Sequence, residues 1–225
     1  MGPLRNTGRA STVTALTATL GLAAACLALA LRLMIGMDMG VATRLGSFGF
    51  FLAMWVPMMA AMMLPGAVPA VLRRTGNGAA AVLLFVALYL VVWALFGFIV
   101  YVLYRPHGPL AAGVITILAG IYELAPLKQF FRRRCHESTR SGFAFGLDCV
   151  GSSLGLMLML VALGVMSIVW MFVIAIIVVA QKLLPAKAAI DVPMALGIIG
   201  FGVLIVVAPS WVPGLMPAMA PMAPM

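Results

Sequence analysis

A chain of 225 residues that is 65% hydrophobic and only 8% charged is not an ordinary soluble domain, which carries about 25% charged residues; it reads as a polytopic membrane protein. The net charge of +9 does not point to nucleic acid, because its 14 cations are spread between apolar runs, where they report topology instead. Two histidines and five acidic residues leave few acid–base constellations and disfavour an enzyme, while Cys26, Cys135 and Cys149 form no CxxC, disulfide framework or zinc motif.

Residues 1–12 are polar, with Arg5 and Arg9, and read as a short cytoplasmic segment. The first apolar run, 13–34, contains Ala23-Ala-Ala-Cys26, which has the look of a lipoprotein cleavage site. Its length, and the lack of a leucine three residues before the cysteine, favour a retained helix. The second helix, predicted over 48–72, holds Met54, Met58, Met59, Met62 and Met63. At 100° per residue Met54, Met58 and Met62 form one stripe, with Met59 and Met63 beside it. Pro57, Pro65 and Pro69 free the carbonyls of Ala53, Ala61 and Pro65 and bend the helix. Such backbone is tolerated in a membrane only where protein or a wet cavity covers it, so this helix is predicted at the centre of the bundle. Its methionines have two readings, gap-filling around kinks or neutral thioether ligands suited to Cu(I).

The third helix is predicted over 79–104, with Tyr89 and Trp93 packing at i and i+4. The fourth covers 110–127 and ends near Glu123, whose expected partner is Lys128 or an arginine. The run Arg132-Arg-Arg-Cys-His-Glu137 reads as a basic loop against anionic lipid, and its adjacent Cys135 and His136 are weak metal candidates without further ligands. The fifth helix, 143–163, carries Asp148 and Cys149 one to two turns from its cytoplasmic end. An ionisable residue inside a span is a functional candidate, with pairing to the preceding arginines as the alternative. Met157 lies about 80° round the helix from Cys149 and about 180° from Asp148, so one face cannot hold all three. Gly151, Ser152, Ser153 and Gly155 invite a close neighbour, with the second helix as the candidate. The sixth helix is predicted over 167–184 and the seventh over 193–209, where Pro193 suits the first helical position. In the tail, 210–225, Met216, Met219, Met222 and Met225 repeat every third residue among prolines. A polyproline II helix would align them on one edge, for metal capture, unless the tail is simply low in complexity.

The amino terminus and the connections after the second, fourth and sixth helices hold eleven cations: Arg5, Arg9, Arg73, Arg74, Lys128, Arg132, Arg133, Arg134, Arg140, Lys182 and Lys187. The other side holds Arg32, Arg44 and Arg105. This asymmetry places the amino terminus in the cytoplasm and the carboxyl terminus outside. Tyr101, Tyr104, Trp170 and Trp211 then fall near the outer interface, and Met34, Met37 and Met39 at the outer mouth.

Trp55-x-x-Met-Met-Ala-Ala-Met-Met-Leu-Pro65 with Pro69 resembles the hallmark of a bacterial family of predicted metal-binding integral membrane proteins of unknown function. The resemblance continues through Tyr89-x-x-x-Trp93, Tyr122-Glu-Leu-Ala-Pro-Leu-Lys128, the stretch 142–157, Gly164-Val-Met-Ser-Ile-Val-Trp-Met171 and Lys182-Leu-Leu-Pro185. Where that family shows His-Gly-x-x-Cys-x-Gly-Cys-Cys-Trp, this chain reads Phe145-Gly-Leu-Asp-Cys149-Val-Gly-Ser-Ser-Leu154, and a glutamate before the lysine is here Gln181. Either the site is lost, or methionines and Asp148 have taken it over.

The expectation is therefore an all-α bundle of about seven transmembrane helices over 13–209, binding or moving a soft metal, Cu(I) being the best match. The outer methionines would collect it, Met54, Met58, Met59, Met62 and Met63 would pass or hold it, and Asp148, Cys149 and Met157 would lie toward the cytoplasmic end. Its surroundings would be the lipid bilayer, with a membrane-protein partner or a second copy. The alternative is a non-catalytic accessory subunit of a membrane complex. No phosphate loop is present, so any movement would be passive, ion-coupled or partner-driven.

Overall fold

Prolines and glycines decide where these helices start, break and touch. The computed structural model describes residues 4–35, 45–137, 141–164, 167–183, 188–212 and 215. Among them are eight α-helices and no strand: α1 (Leu4–Met34), α2 (Phe48–Leu72), α3 (Ala79–Leu103), α4 (Pro109–Leu124), α5 (Pro126–Glu137), α6 (Gly142–Gly164), α7 (Ile168–Leu183) and α8 (Ala188–Val207). Four stretches are long and apolar enough to cross a membrane: Thr12–Met34, α2, α3 and α6. The bent pair α4–α5 makes a fifth as one broken span, and α7 and α8 are shorter apolar helices.

Three expectations need correction. The polar segment predicted over 1–12 is helical from Leu4; no proline follows Pro3 until Pro57, and each residue added to an existing helix gains a hydrogen bond. The fourth predicted helix does not run to 127. Pro126 has no N–H and pushes its predecessor out of the helical region. Ala125 is accordingly extended at φ −66°, ψ 139°, and the chain turns by 64° into α5, a helix where a basic loop was expected. Pro193 lies inside α8 instead of starting it, and Asp191 occupies the first turn, where a carboxylate complements the positive end of the helix dipole.

α2 is central, as predicted. Ser47 caps it by accepting from the Phe50 N–H at 3.4 Å, and all three internal prolines sit within one continuous helix. Over their most apolar windows, 56% of α2 and 67% of α6 is buried, against 17% for the first span; these two helices therefore form the core. α2 packs on α1, α3 and α7, while α6 packs on α3, α4, α5 and α7. The small-residue face of α6 thus meets α4 and α5 instead of α2: a methyl at Gly155 would press on Ala119 O and Tyr122, and one at Gly151 would enter the Phe131 ring. Tyr122 OH locks this contact by donating to Gly151 O at 2.7 Å. α4 and α8 also cross on glycines, where a methyl at Gly113 would lie 3.0 Å from Gly202 O. Such close approach is what drives helix association in lipid, where apolar burial between helices gives little. Trp211 is exposed, whereas Trp170 is buried against Phe201, with ring centroids 5.1 Å apart.

Candidate metal centre

Sulphur from three helices converges where α2, α5 and α6 meet α7. Cys149, fully buried on α6, has its Sγ 3.2 Å from Tyr89 OH. Tyr89 is held in turn by an edge-on contact with Trp93, at 6.4 Å and 74°, the packing expected of that pair. From α5, the half-buried Cys135 lines the same small cavity as Lys182 and Gly66. From α7, the Lys182 ammonium donates to Cys149 Sγ at 2.5 Å and to Met63 Sδ at 3.6 Å. Gly66, one turn beyond Met63 on α2, makes the room: a methyl there would collide with Lys182 Cδ. A cavity of about 40 Å³ adjoins the cluster, lined in part by Gly66, Arg73, Cys135, Ser152 and Lys182. That is space for a water or a single ion.

Of the residues singled out in the sequence, the structure brings Met63 and Cys149 together through Lys182. Met54, Met58, Met59 and Met62 are buried along α2, but Met54 lies nine residues, about 13 Å, from Met63 along the axis. Met157 is buried on α6, about 12 Å along the helix from Cys149. It is therefore not a neighbour of that thiol. Asp148 turns the other way and pairs with Arg134, Oδ1 to Nε 3.4 Å, the alternative reading of that carboxylate. Met216, Met219, Met222 and Met225, with Met37 and Met39, lie outside the described residues.

In the sequence Cys135 is only a weak metal candidate, Lys182 counts as a topology-setting cation and Tyr89 as a packing partner of Trp93. No spacing rule announces the pair Cys135 and Cys149; it forms because α5 folds back along α6 after the break at Pro126.

A second polar cluster lies at that break. Glu123 and Lys128, both fully buried, form an ion pair, as expected for Glu123. Gln181 bridges them, accepting from Lys128 at 3.0 Å and donating to Glu123 at 2.6 Å. Arg132 binds Asp191 at 2.5 Å and the Gln181 carbonyl at 2.7 Å, and Gln129 donates to Asp191 at 3.0 Å. Gln181 and Lys182 are adjacent on α7, so one helix turn serves both clusters.

No group of three or more His, Cys, Asp or Glu side chains gathers among the described residues. A hard or borderline cation is poorly served here, since such ions favour carboxylate and imidazole; two thiols and a thioether are the donors a soft monovalent ion prefers.

No curated protein and no solved structure matches the chain. A family model described as PpoB2, copper chaperone, matches residues 52–205, a region that runs from α2 to the end of α8 and includes every member of both clusters. That span is well over half of the chain, and the protein belongs to the PpoB2 copper chaperone family.

Proposed function

We propose that this protein holds Cu(I) within a membrane-embedded helix bundle and passes it on, with Cys149, Cys135 and Met63 as the donors. The observation that carries the reading is the convergence of Cys149 and Met63 on one cationic position, beside a small cavity that Cys135 and the same lysine line. Cu(I) favours thiolate and thioether ligands in low coordination numbers, and its binding would release the thiol protons. Tyr89 OH, hydrogen-bonded to Cys149, would orient that sulphur from the outer shell, as second partners do at metal sites. Met54, Met58, Met59 and Met62 become packing residues of α2 that lead toward the site. The protein would reside in the bacterial inner membrane, with the site toward the cytoplasmic side. The small-residue face of α6, a warrant for an accessory subunit, is filled from within the chain by Ala119, Tyr122 and Phe131.

The test is Cu(I) titration of the detergent-purified protein against a chromophoric chelator, under reducing and anaerobic conditions. Stoichiometric binding is expected in the wild type. It should be lost in Cys149→Ser, weakened in Cys135→Ser and Met63→Leu, and retained when Met54, Met58, Met59 and Met62 all become leucine. Leucine for methionine conserves volume and costs less than about 1.5 kcal/mol at a packed site, so the fourfold variant should fold. Absence of wild-type binding above the chelator would remove the copper reading.

A further inference from the structure

We propose that Lys182 is a built-in cation that occupies the copper position between transfers, and that Cu(I) enters by displacing its ammonium into the adjoining cavity. The inference rests on the Cys149–Cys135–Met63 reading of the site and adds how that site is opened and emptied.

The geometry assigns this role in three ways. First, the Lys182 Nζ contacts the two kinds of donor that the site offers, Cys149 Sγ at 2.5 Å and Met63 Sδ at 3.6 Å. A thioether is a poor hydrogen-bond acceptor and gives an ammonium little reason to settle there. Both sulphurs face one point in space, and that point is taken by positive charge. Second, the lysine is held by shape: its Cδ lies over Gly66, where any larger residue would strike it. Lysine has a long, flexible stem, so its head can move while the stem stays in this groove. Third, the head has somewhere to go. Lys182, Gly66 and Cys135 line the same cavity of about 40 Å³, together with the hydroxyl-bearing Ser152. This is room enough for an ammonium or a water.

The consequence is a site whose occupancy by positive charge changes little as copper comes and goes. Inside a low-dielectric bundle, an uncompensated thiolate is costly, and the ammonium offsets that cost whenever copper leaves. Cu(I) must in turn compete with a tethered cation. Affinity is thereby lowered, and release to an acceptor is assisted by the returning lysine. A carrier that hands its cargo on needs this balance more than it needs tight retention.

The experiment compares wild type, Lys182→Leu, Lys182→Arg and Gly66→Ala in the same Cu(I) competition titration, with release followed after adding excess chelator. Lys182→Leu removes the competing cation without adding a sulphur donor, and should bind at least about tenfold tighter and release more slowly. Gly66→Ala keeps the lysine but fills its groove, and should shift affinity in the same direction. Lys182→Arg keeps the charge and should stay nearer the wild type. An amine-acylating reagent with peptide mapping gives an independent readout: Lys182 should be labelled faster in copper-loaded than in copper-free wild type. Wild-type binding with Lys182→Leu and Gly66→Ala both within about twofold of it, or labelling unchanged by copper, would overturn the role of the lysine and leave the sulphur site standing. Failure of every form to bind would overturn the sulphur site, and the lysine's role with it.

Discussion

Trp55 illustrates how much one residue can dictate its neighbours. Its indole is fully buried, stacks on Phe51 with centroids 5.4 Å apart and donates from Nε1 to Trp93 O at 3.0 Å. That bond satisfies a polar group which would otherwise be costly to bury. The ring can reach α3 only because Gly97 has no side chain; a methyl there would overlap the indole. Gly97→Ala should therefore lower stability by about 1–3 kcal/mol, as overpacking of a tight core does. The expected result is a lower denaturation midpoint in detergent, with Cu(I) stoichiometry unchanged below the transition. A midpoint equal to wild type would mean that α3 can step aside. Trp55 is conspicuous in the sequence and Gly97 is not. The need for a glycine there arises from a contact between helices, which no local pattern encodes.

Helix α5 shows the same limit one level up. The break at Ala125-Pro126 is local chemistry and can be read directly from the sequence. The helix beyond it was hidden because Arg132-Arg-Arg134 resembles a solvated loop, while two of its basic residues, Lys128 and Arg132, are in fact buried. What makes their burial tolerable is carried by distant residues: Glu123 before the break, Gln181 on α7 and Asp191 on α8. The boundaries of α2, α3 and α6 were legible because long apolar runs between turn residues leave little choice. The candidate sulphur cluster is half legible: Cys149 and Met63 stand out as soft donors, whereas Cys135 and Lys182 acquire meaning only from the fold of α5 and α7. The buried pair gives a test at this scale. Lys128→Met leaves Glu123 without its cation and should destabilise by about 3–5 kcal/mol. Adding Glu123→Leu should recover most of that loss, since a pair replaced by apolar residues is often neutral. Denaturation of both single variants and the double variant forms the cycle. A double variant as unstable as Lys128→Met would show that Arg132 and Asp191 depend on the pair, and that the two ion pairs act as one unit.

At the scale of the whole molecule the proposed function asks how copper would reach a site toward one end of the bundle. Lys128, Arg132, Arg134 and Lys182, four of the eleven cations behind the positive-inside reading, have partners on other helices. Without them seven stand against three, and the proposed topology keeps its direction. In that topology the carboxyl-terminal methionines would face the outside and Cys149 would lie toward the cytoplasm. A polyproline II strand would carry Met216, Met219, Met222 and Met225 about 9 Å apart along one edge. Neutral thioethers alone would hold Cu(I) more weakly than a site that also offers thiolates. On the proposed function the tail would thus raise the local supply of copper without competing at equilibrium with two thiols and a third sulphur. Deleting residues 213–225 should accordingly leave the final stoichiometry and affinity unchanged and slow the loading of the bundle at low Cu(I). Stopped-flow loading alongside equilibrium titration separates the two quantities. Equal loading rates would remove the tail from the pathway. A lost equivalent at equilibrium would place a binding site in the tail itself, and equilibrium would then have to be partitioned between tail and bundle before any rate could be assigned to transfer.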